Sequence, residues 1–305
     1  DEASLKPLFE NVDISRCQHL AIDEISIHKN FDYATVFMDL ANRQILRVVH
    51  GKRKTDLRAT FKEFSQLCLG LKSVSVDMNA AFPSLVKEHL SPTVKIAYDL
   101  FHVMAHFTKD VLKAARKSSL ALINQTFKAI PKKERTPDMF AQRDEKRELV
   151  KGAEWLVLTD PDLLCGSRRD RLDKLREYNK LFRDLYPLAA MIRAVWKCKD
   201  QAEACSMLNA VIELCHAIAD EHGFEPIRKF AKMLKTRAEG IVTAGQVGFG
   251  TNILEGANNT AKVIKRIAYG YRDFEYFALK LKAAFPGTRF KQAMQGCCPA
   301  WNLYW

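Results

Sequence analysis

Three runs, His19-Leu-Ala-Ile-Asp23-Glu24-Ile-Ser-Ile27, Tyr33-Ala-Thr-Val-Phe-Met-Asp-Leu40 and Gln44-Ile-Leu-Arg-Val-Val-His50, follow one another with short connections. Each is rich in β-branched and aromatic residues, and the turn at Ala41-Asn42-Arg43 leaves room only for a hairpin. The spacing predicts a three-strand antiparallel meander. The period then changes. From Thr55 to Leu69 the apolar residues Leu57, Phe61, Phe64, Leu67 and Cys68 recur at helical spacing, and Gly70 stops the run. Ser73-Val-Ser-Val-Asp77 reads as a short strand, Ala80 to Leu90 as a helix, and Val94-Lys-Ile-Ala-Tyr-Asp99 as another strand. Strands joined through helices run parallel, so the predicted fold is a mixed α/β sheet: an antiparallel meander plus two parallel strands, with helices on its faces.

Beyond this sheet the signal is helical. From Leu100 to about Glu239 there is no strand-like run, and breaks are expected near Pro131, Pro137, Pro161, Pro187 and Pro226. One further helix is expected from Asn252 to Ile267 and another from Asp273 to Phe285. The aromatic tail, Cys297-Cys-Pro-Ala-Trp-Asn-Leu-Tyr-Trp305, has no assignable pattern.

The chain has 305 residues, 48% of them hydrophobic, which is enough for one or two cores and excludes disorder. No stretch approaches ~18 uncharged apolar residues, so no membrane span is expected. The start, Asp1-Glu2-Ala3, is neither a secretion signal nor a Met, and the true N-terminus is expected to lie elsewhere. A cytoplasmic location, among the nucleoid, follows as the expectation.

Charge is distributed unevenly. Residues 1–110 hold 14 basic and 14 acidic side chains, residues 111–245 hold 26 and 19, and residues 246–305 hold 8 and 3. A surplus of this kind suits a polyanionic partner, although a solvated helix surface accounts equally well for the middle segment. The eight cysteines (17, 68, 165, 198, 205, 215, 297 and 298) form no Cys-x-x-Cys pair, and Cys198, Cys205, Cys215 and His216 are too irregular for zinc. They are read as reduced thiols that pack as small hydrophobes.

Three aspartates stand in apolar strand contexts. Asp23 lies inside its strand, and Asp77 and Asp99 each end one just before a helix. Buried carboxylates gathered at strand ends require a cation, protonation or basic neighbours, and an oxygen-rich cluster suits magnesium or manganese. For Asp77 or Asp99 taken singly, capping of the following helix is the favoured explanation. On the helix from Asn252, the 3.6 period separates an apolar stripe (Leu254, Ala257, Ala261, Ile264 and Ala268) from a polar face with Glu255, Asn258, Asn259, Lys262 and Arg266. Asn252-x-x-Glu255 is also a capping-box spacing. Val247-Gly-Phe-Gly250 reads as a flexible turn rather than a phosphate loop.

Taken in order, the Ile22-Asp23-Glu24 strand, the Val76-Asp77-Met78 strand end, Tyr98-Asp99-Leu-Phe-His102, and Asn252-Ile-Leu-Glu255-Gly-Ala-Asn258-Asn259 with Lys262, Lys265, Arg266, Tyr269 and Tyr271 resemble the DDE transposases of bacterial insertion sequences. The similarity is greatest to the ISL-three family and spans roughly residues 18–280. It implies a ribonuclease H-like domain with a large all-helical insertion before the last catalytic helix. The implied organisation is an N-terminal segment (1–17), a first catalytic part (18–112), the helical insertion (113–245), the final catalytic helices (246–288) and a tail (289–305).

By that resemblance Asp23, Asp77 and Glu255 match the catalytic, metal-holding acids, and Asp99 and His102 match a supporting Asp-x-x-His signature; a core histidine is the alternative for His102. The implied cofactor is Mg2+, with Mn2+ as a substitute: Asp23 would bridge two ions, Asp77 hold one and Glu255 the other. The implied partners are the transposon's terminal inverted repeats and target DNA, acted on by a homodimer or larger synaptic complex. Lys262, Lys265, Arg266 and Arg272 would hold phosphates beside Glu255, and Arg168 and Arg169, with Arg171, are candidates for further backbone contacts. Trp155 and Trp196 are offered for base stacking, with core packing the favoured alternative. Family members usually begin with a zinc-binding and helix-turn-helix region, absent from this stretch; an excised catalytic segment, a DNA-gripping relic and another ribonuclease H-like nuclease are the readings that follow.

Overall fold

The computed structural model describes residues 2–28, 32–78, 81–248 and 252–297. It divides into two compact units, one made of Asp1–Asp99 with Val247–Trp305 and the other of Leu100–Gln246.

The first unit is built on five strands, β1 (His19–His28), β2 (Asp32–Asp39), β3 (Gln44–His50), β4 (Ser73–Val76) and β5 (Lys95–Tyr98). Their order is β3-β2-β1-β4-β5, so β1 is central. The β1–β2 and β2–β3 pairs are antiparallel, and the β1–β4 and β4–β5 pairs are parallel, as the connections predict. Buried Asp39 fastens the β2–β3 hairpin by accepting from the backbone N–H groups of Ala41 at 2.9 Å and Asn42 at 3.1 Å. Arg43 at the turn takes a positive φ of 54°.

Alternation along the strands sorts two cores. On one face Leu20, Ile22, Phe37, Val74 and Val76 pack against α2 (Lys54–Leu67) and α3 (Ala81–His89), through side chains such as Phe61 and Phe82. On the other, Ala21, Ile25, Val36 and Met38 pack against α13 (Asn252–Ile267) and α14 (Phe274–Ala284). Two helices were not legible in the sequence: α1 (Glu2–Phe9), whose Phe9 packs beside Leu279, and α15 (Thr288–Cys297). Between α14 and α15 the chain covers the β3 edge, where the Ile45 N–H donates to the Phe285 carbonyl at 3.1 Å.

The second unit is helical: α4 (Leu100–His106), a π-helical turn over Phe107–Leu112, α5 (Lys113–Ala129), α6 (Pro137–Val150), α7 (Ala153–Leu158) and α8 (Ser167–Tyr178) lead to α9 (Lys180–Lys197). Then come α10 (Gln201–His222), α11 (Glu225–Thr236) and α12 (Ala238–Val247). Side-chain caps explain several starts: Thr136 before α6, Asn179 before α9 and Asp200 before α10 each accept from a first-turn N–H. Pro137 and Pro226 sit in first turns, where no N–H is needed. Pro187 departs from expectation, because it lies inside α9 instead of breaking it. The helix survives an interior proline, at a cost of about 3 kcal/mol, because it buries Phe182, Leu185, Leu188, Ile192 and Val195.

One helix, α10, is long and apolar enough by length and composition to cross a membrane, contrary to expectation. It carries Glu203, Glu213, Asp220 and Glu221 and buries Leu208, Val211, Cys215 and Ile218 between its neighbours α9 and α11. It reads as the core helix of this unit.

Candidate active site

The parallel register sets the geometry around Asp23. His19, Leu20, Ala21 and Ile22 of β1 lie abreast of Ser73, Val74, Ser75 and Val76 of β4, and Val76 lies abreast of Tyr98 of β5. Asp23, Asp77 and Asp99 are each the next residue in sequence after these last register pairs, Asp23 within β1 and Asp77 and Asp99 just past the ends of β4 and β5. Ile22 and Val76 share the α2/α3 core and Tyr98 packs on it, so by side-chain parity Asp23, next along β1, turns to the other face, toward α13. The 2.8 Å contact of His19 Nδ1 with Ser73 Oγ confirms that parity at the first register pair.

Helix α13 approaches this face through its buried Leu254, Ala257 and Ala261. The Asn258 side-chain amide donates to Asp23 Oδ2. Asp23 Oδ1 accepts from the Glu24 backbone N–H at 2.7 Å, and Asp77 Oδ1 accepts from the Met78 N–H. Glu255 is exposed, three residues before Asn258 and therefore on the same side of the helix. The capping alternative for Glu255 involves the Asn252 side chain, which lies outside the described residues.

Glu24 projects to the opposite face and pairs with Lys52 at 3.5 Å; the Lys52 ammonium lies 3.4 Å above the Tyr33 ring. Burial pushes the Glu24 carboxyl above its ordinary range, Lys52 opposes that, and the charges of Asp77 and Asp23 add to the rise. The one sequence signal that marks Glu24 is its place beside Asp23.

The basic candidates separate into two kinds. Lys265 is engaged in packing: its Nζ donates to the carbonyls of Ser26 at 3.1 Å and Ile27 at 2.7 Å, tying α13 to the end of β1. Lys262 reaches Asn259 Oδ1 at 3.3 Å and is exposed, as are Arg266 and Arg272. Arg168 and Arg169 are exposed on α8 in the helical unit, whereas Arg171 folds back onto the carbonyls of Glu148, at 2.6 Å, and Lys151. His102 is half-buried on α4, its ring 5.5 Å from that of Phe101. Trp155 is 67% exposed, so the core-packing alternative does not hold for it; Trp196 is half-buried.

The residues present fit a hard divalent cation. Donors on this face are carboxylate and amide oxygens, and the buried Asn258 Oδ1 has no hydrogen-bond donor among the described residues. Among the described residues the group with metal-ligand spacing is Asp184, Glu221 and His222, in the helical unit; Asp23, Asp77 and Glu255 do not form one. There Asp184 already accepts from Arg183 Nε and His222 Nε2, both at 2.8 Å, as in an ordinary ion-pair network. No cysteine joins such a group among the described residues; Cys17, Cys68 and Cys215 are buried, Cys198 is half-buried, and Cys165 and Cys205 are exposed.

The fold is that of an α/β protein with a five-stranded mixed sheet, on one face of which α13 meets Asp23. The model of a DDE transposase family of ISL-three type, described as Transposase, matches residues 20–281, and the chain belongs to that family. It is 34% identical over 289 residues to the transposase for insertion sequence element IS1001 of Bordetella parapertussis, a match covering 94% of this chain and 66% of that protein. The chain thus spans just under two thirds of that relative's length. Among solved structures, the Drosophila P element transposase strand transfer complex aligns with a TM-score of 0.46 and 11% identity, covering 92% of this chain and 80% of that one.

Proposed function

We propose that the chain is the strand-cutting and strand-joining part of an insertion-sequence transposase, a ribonuclease H-like domain interrupted by a helical insertion, acting on DNA in the bacterial cytoplasm. The observation that carries this reading is the Asn258–Asp23 hydrogen bond, which ties the helix bearing Glu255 to β1, the strand that pairs with β4. Family membership and the β3-β2-β1-β4-β5 order support it.

In this reading Asp23, Asp77 and Glu255 hold divalent magnesium, for which manganese substitutes. When bound, the metal supplies Lewis-acid stabilisation of the attacking and leaving oxygens of a phosphodiester. The chain's own groups do the rest. Asn258 fixes the Asp23 carboxylate through Oδ2, while the Glu24 N–H holds Oδ1. Lys262, Arg266 and Arg272 hold backbone phosphates along α13, which positions the strand without reading its sequence. Asp99 supports the site; on the helical unit, His102 is the further residue of the family pattern, and Arg168 and Arg169 are phosphate contacts. Terminal inverted repeats and target DNA are the substrates, brought together by a dimer or larger synaptic complex.

The test is incubation of the chain with labelled terminal-repeat DNA and Mg2+ or Mn2+. Nicking that disappears in Asp77→Asn and Glu255→Gln supports the reading. Tight DNA binding with no metal-dependent cleavage identifies a relic, and cleavage confined to RNA–DNA hybrid or branched DNA identifies another nuclease.

A further inference from the structure

Helix α13 ends in a Schellman turn. The Gly270 N–H donates to the Lys265 carbonyl at 2.9 Å and the Tyr269 N–H to the Arg266 carbonyl at 3.1 Å, the two bonds that define the motif. Its left-handed position is occupied by Tyr269, with φ 52°. Glycine is favoured there because a Cβ crowds the following carbonyl, yet the chain places its glycine one residue later.

Packing does not compensate. Tyr269 is 102% exposed, whereas Tyr271, two residues on, lies against Tyr276 and Phe277 with ring centroids at 5.8 and 5.3 Å. On the same helix Ile267 is 74% and Val263 50% exposed. Exposed Lys262, Arg266 and Arg272 surround this apolar strip, and residues 256–272 contain no Asp or Glu. Folding alone gains nothing from a wet aromatic ring on a strained backbone. An external partner that is anionic and offers a flat face matches both features.

We propose that Tyr269 is a stacking platform for an unpaired DNA base, with Arg266 and Arg272 holding the phosphates on either side. This assignment deepens the transposase reading and rests on it. An aromatic ring accepts the face of any base, and basic side chains follow the backbone without selecting sequence. Neighbouring pairs cover base faces in a duplex, so the platform favours single-stranded or frayed DNA. Fourteen residues separate Tyr269 from Glu255, about 20 Å along a helix, so the platform holds the strand several nucleotides away from the acids.

Fluorescence anisotropy with fluorescein-labelled oligo(dT) and a blunt duplex of equal length tests the proposal on the full chain. Tyr269→Ala is expected to weaken oligo(dT) binding about tenfold, with a smaller effect on the duplex, and Tyr269→Trp to keep wild-type affinity. Tyr269→Gly is expected to lose the same affinity while raising Tm by about 2 °C, since glycine relieves the left-handed strain. Unchanged oligo(dT) affinity in the Ala and Gly variants, or no oligo(dT) binding by the wild type, overturns the platform. Failure of the transposase reading has a different signature: wild-type chain that binds oligo(dT) through Tyr269 but nicks no terminal-repeat DNA with metal present.

Discussion

Asn258 donates its side-chain amide to Asp23 across 235 positions of sequence. The bond joins the last long helix of the sheet unit to its central strand, β1. Asn258→Ala removes a hydrogen bond to an ionised group, a loss of about 1.5–3 kcal/mol. Urea unfolding measures it. Asn258→Asp sets a further carboxylate against Asp23, so it is expected to destabilise more than alanine at neutral pH and to recover as the pH is lowered. Equal stability of the Asp variant and the wild type at neutral pH would show that the bond is not formed.

The Glu24 carboxyl is raised above its ordinary value of 4.5, mainly by burial. A raised carboxyl favours the folded state while it is protonated; that contribution is complete below 4.5 and is lost as pH climbs through the folded value. Glu24→Gln is therefore expected to flatten the fall in unfolding free energy across mildly acidic pH and to raise stability at neutrality. A steeper fall in the variant contradicts this.

Asp184 moves in the other direction. Burial raises its carboxyl, but the hydrogen bonds and charges of Arg183 and His222 together outweigh burial and leave it below 3.8. Its stabilising contribution is present above 3.8 and is lost as pH falls through the folded value. Acid titration of Asp184→Asn, followed by circular dichroism, is expected to show less pH dependence than the wild type below that point.

Lys265 and its neighbours are expected to separate experimentally. Lys265→Ala removes two contacts to β1 carbonyls and is expected to cost about 1–3 kcal/mol, read by thermal denaturation. Lys262→Ala and Arg266→Ala are expected to leave stability within about 0.5 kcal/mol while each lowers the salt slope of DNA binding by about 1. A Lys262 variant that unfolds early while its salt slope is unchanged reverses this division.

Two glycines make a paired test. A Cβ on Gly245 in α12 would stand 2.7 Å from the Cys198 carbonyl oxygen and 3.1 Å from that of Val195, whereas a Cβ on Gly256 in α13 meets nothing within 4 Å. Gly245→Ala is expected to destabilise by about 1–3 kcal/mol, and Gly256→Ala to stabilise by about 1 kcal/mol. Differential scanning calorimetry decides both signs.

Much of this was legible in the residues. The β1–β3 meander, β4, β5 and α13 announce themselves because strand and helix periods are strong and the turns between them are short. What sequence periodicity cannot supply is the lateral order of strands: that β1, which carries Asp23, lies beside β4, and β4 beside β5, is a long-range pairing. The same limit explains Lys265 and Arg171, which look like surface cations until their backbone carbonyl partners are known. Pro187 misled because burial along α9 outweighs local propensity. The exposure of Trp155 has no sequence signature, since a six-residue helix, Ala153–Leu158, is too short to display a period.

The sheet unit is assembled from both ends of the chain, residues up to Asp99 and those from Val247 onward. During synthesis, therefore, the ribosome delivers the first acids long before the helix that must dock beside them. A product released anywhere within the intervening helices has an open sheet face lacking Leu254, Ala257 and Ala261, along with Glu255. The interruption thus delays closure of that sheet face until the final helices have been made.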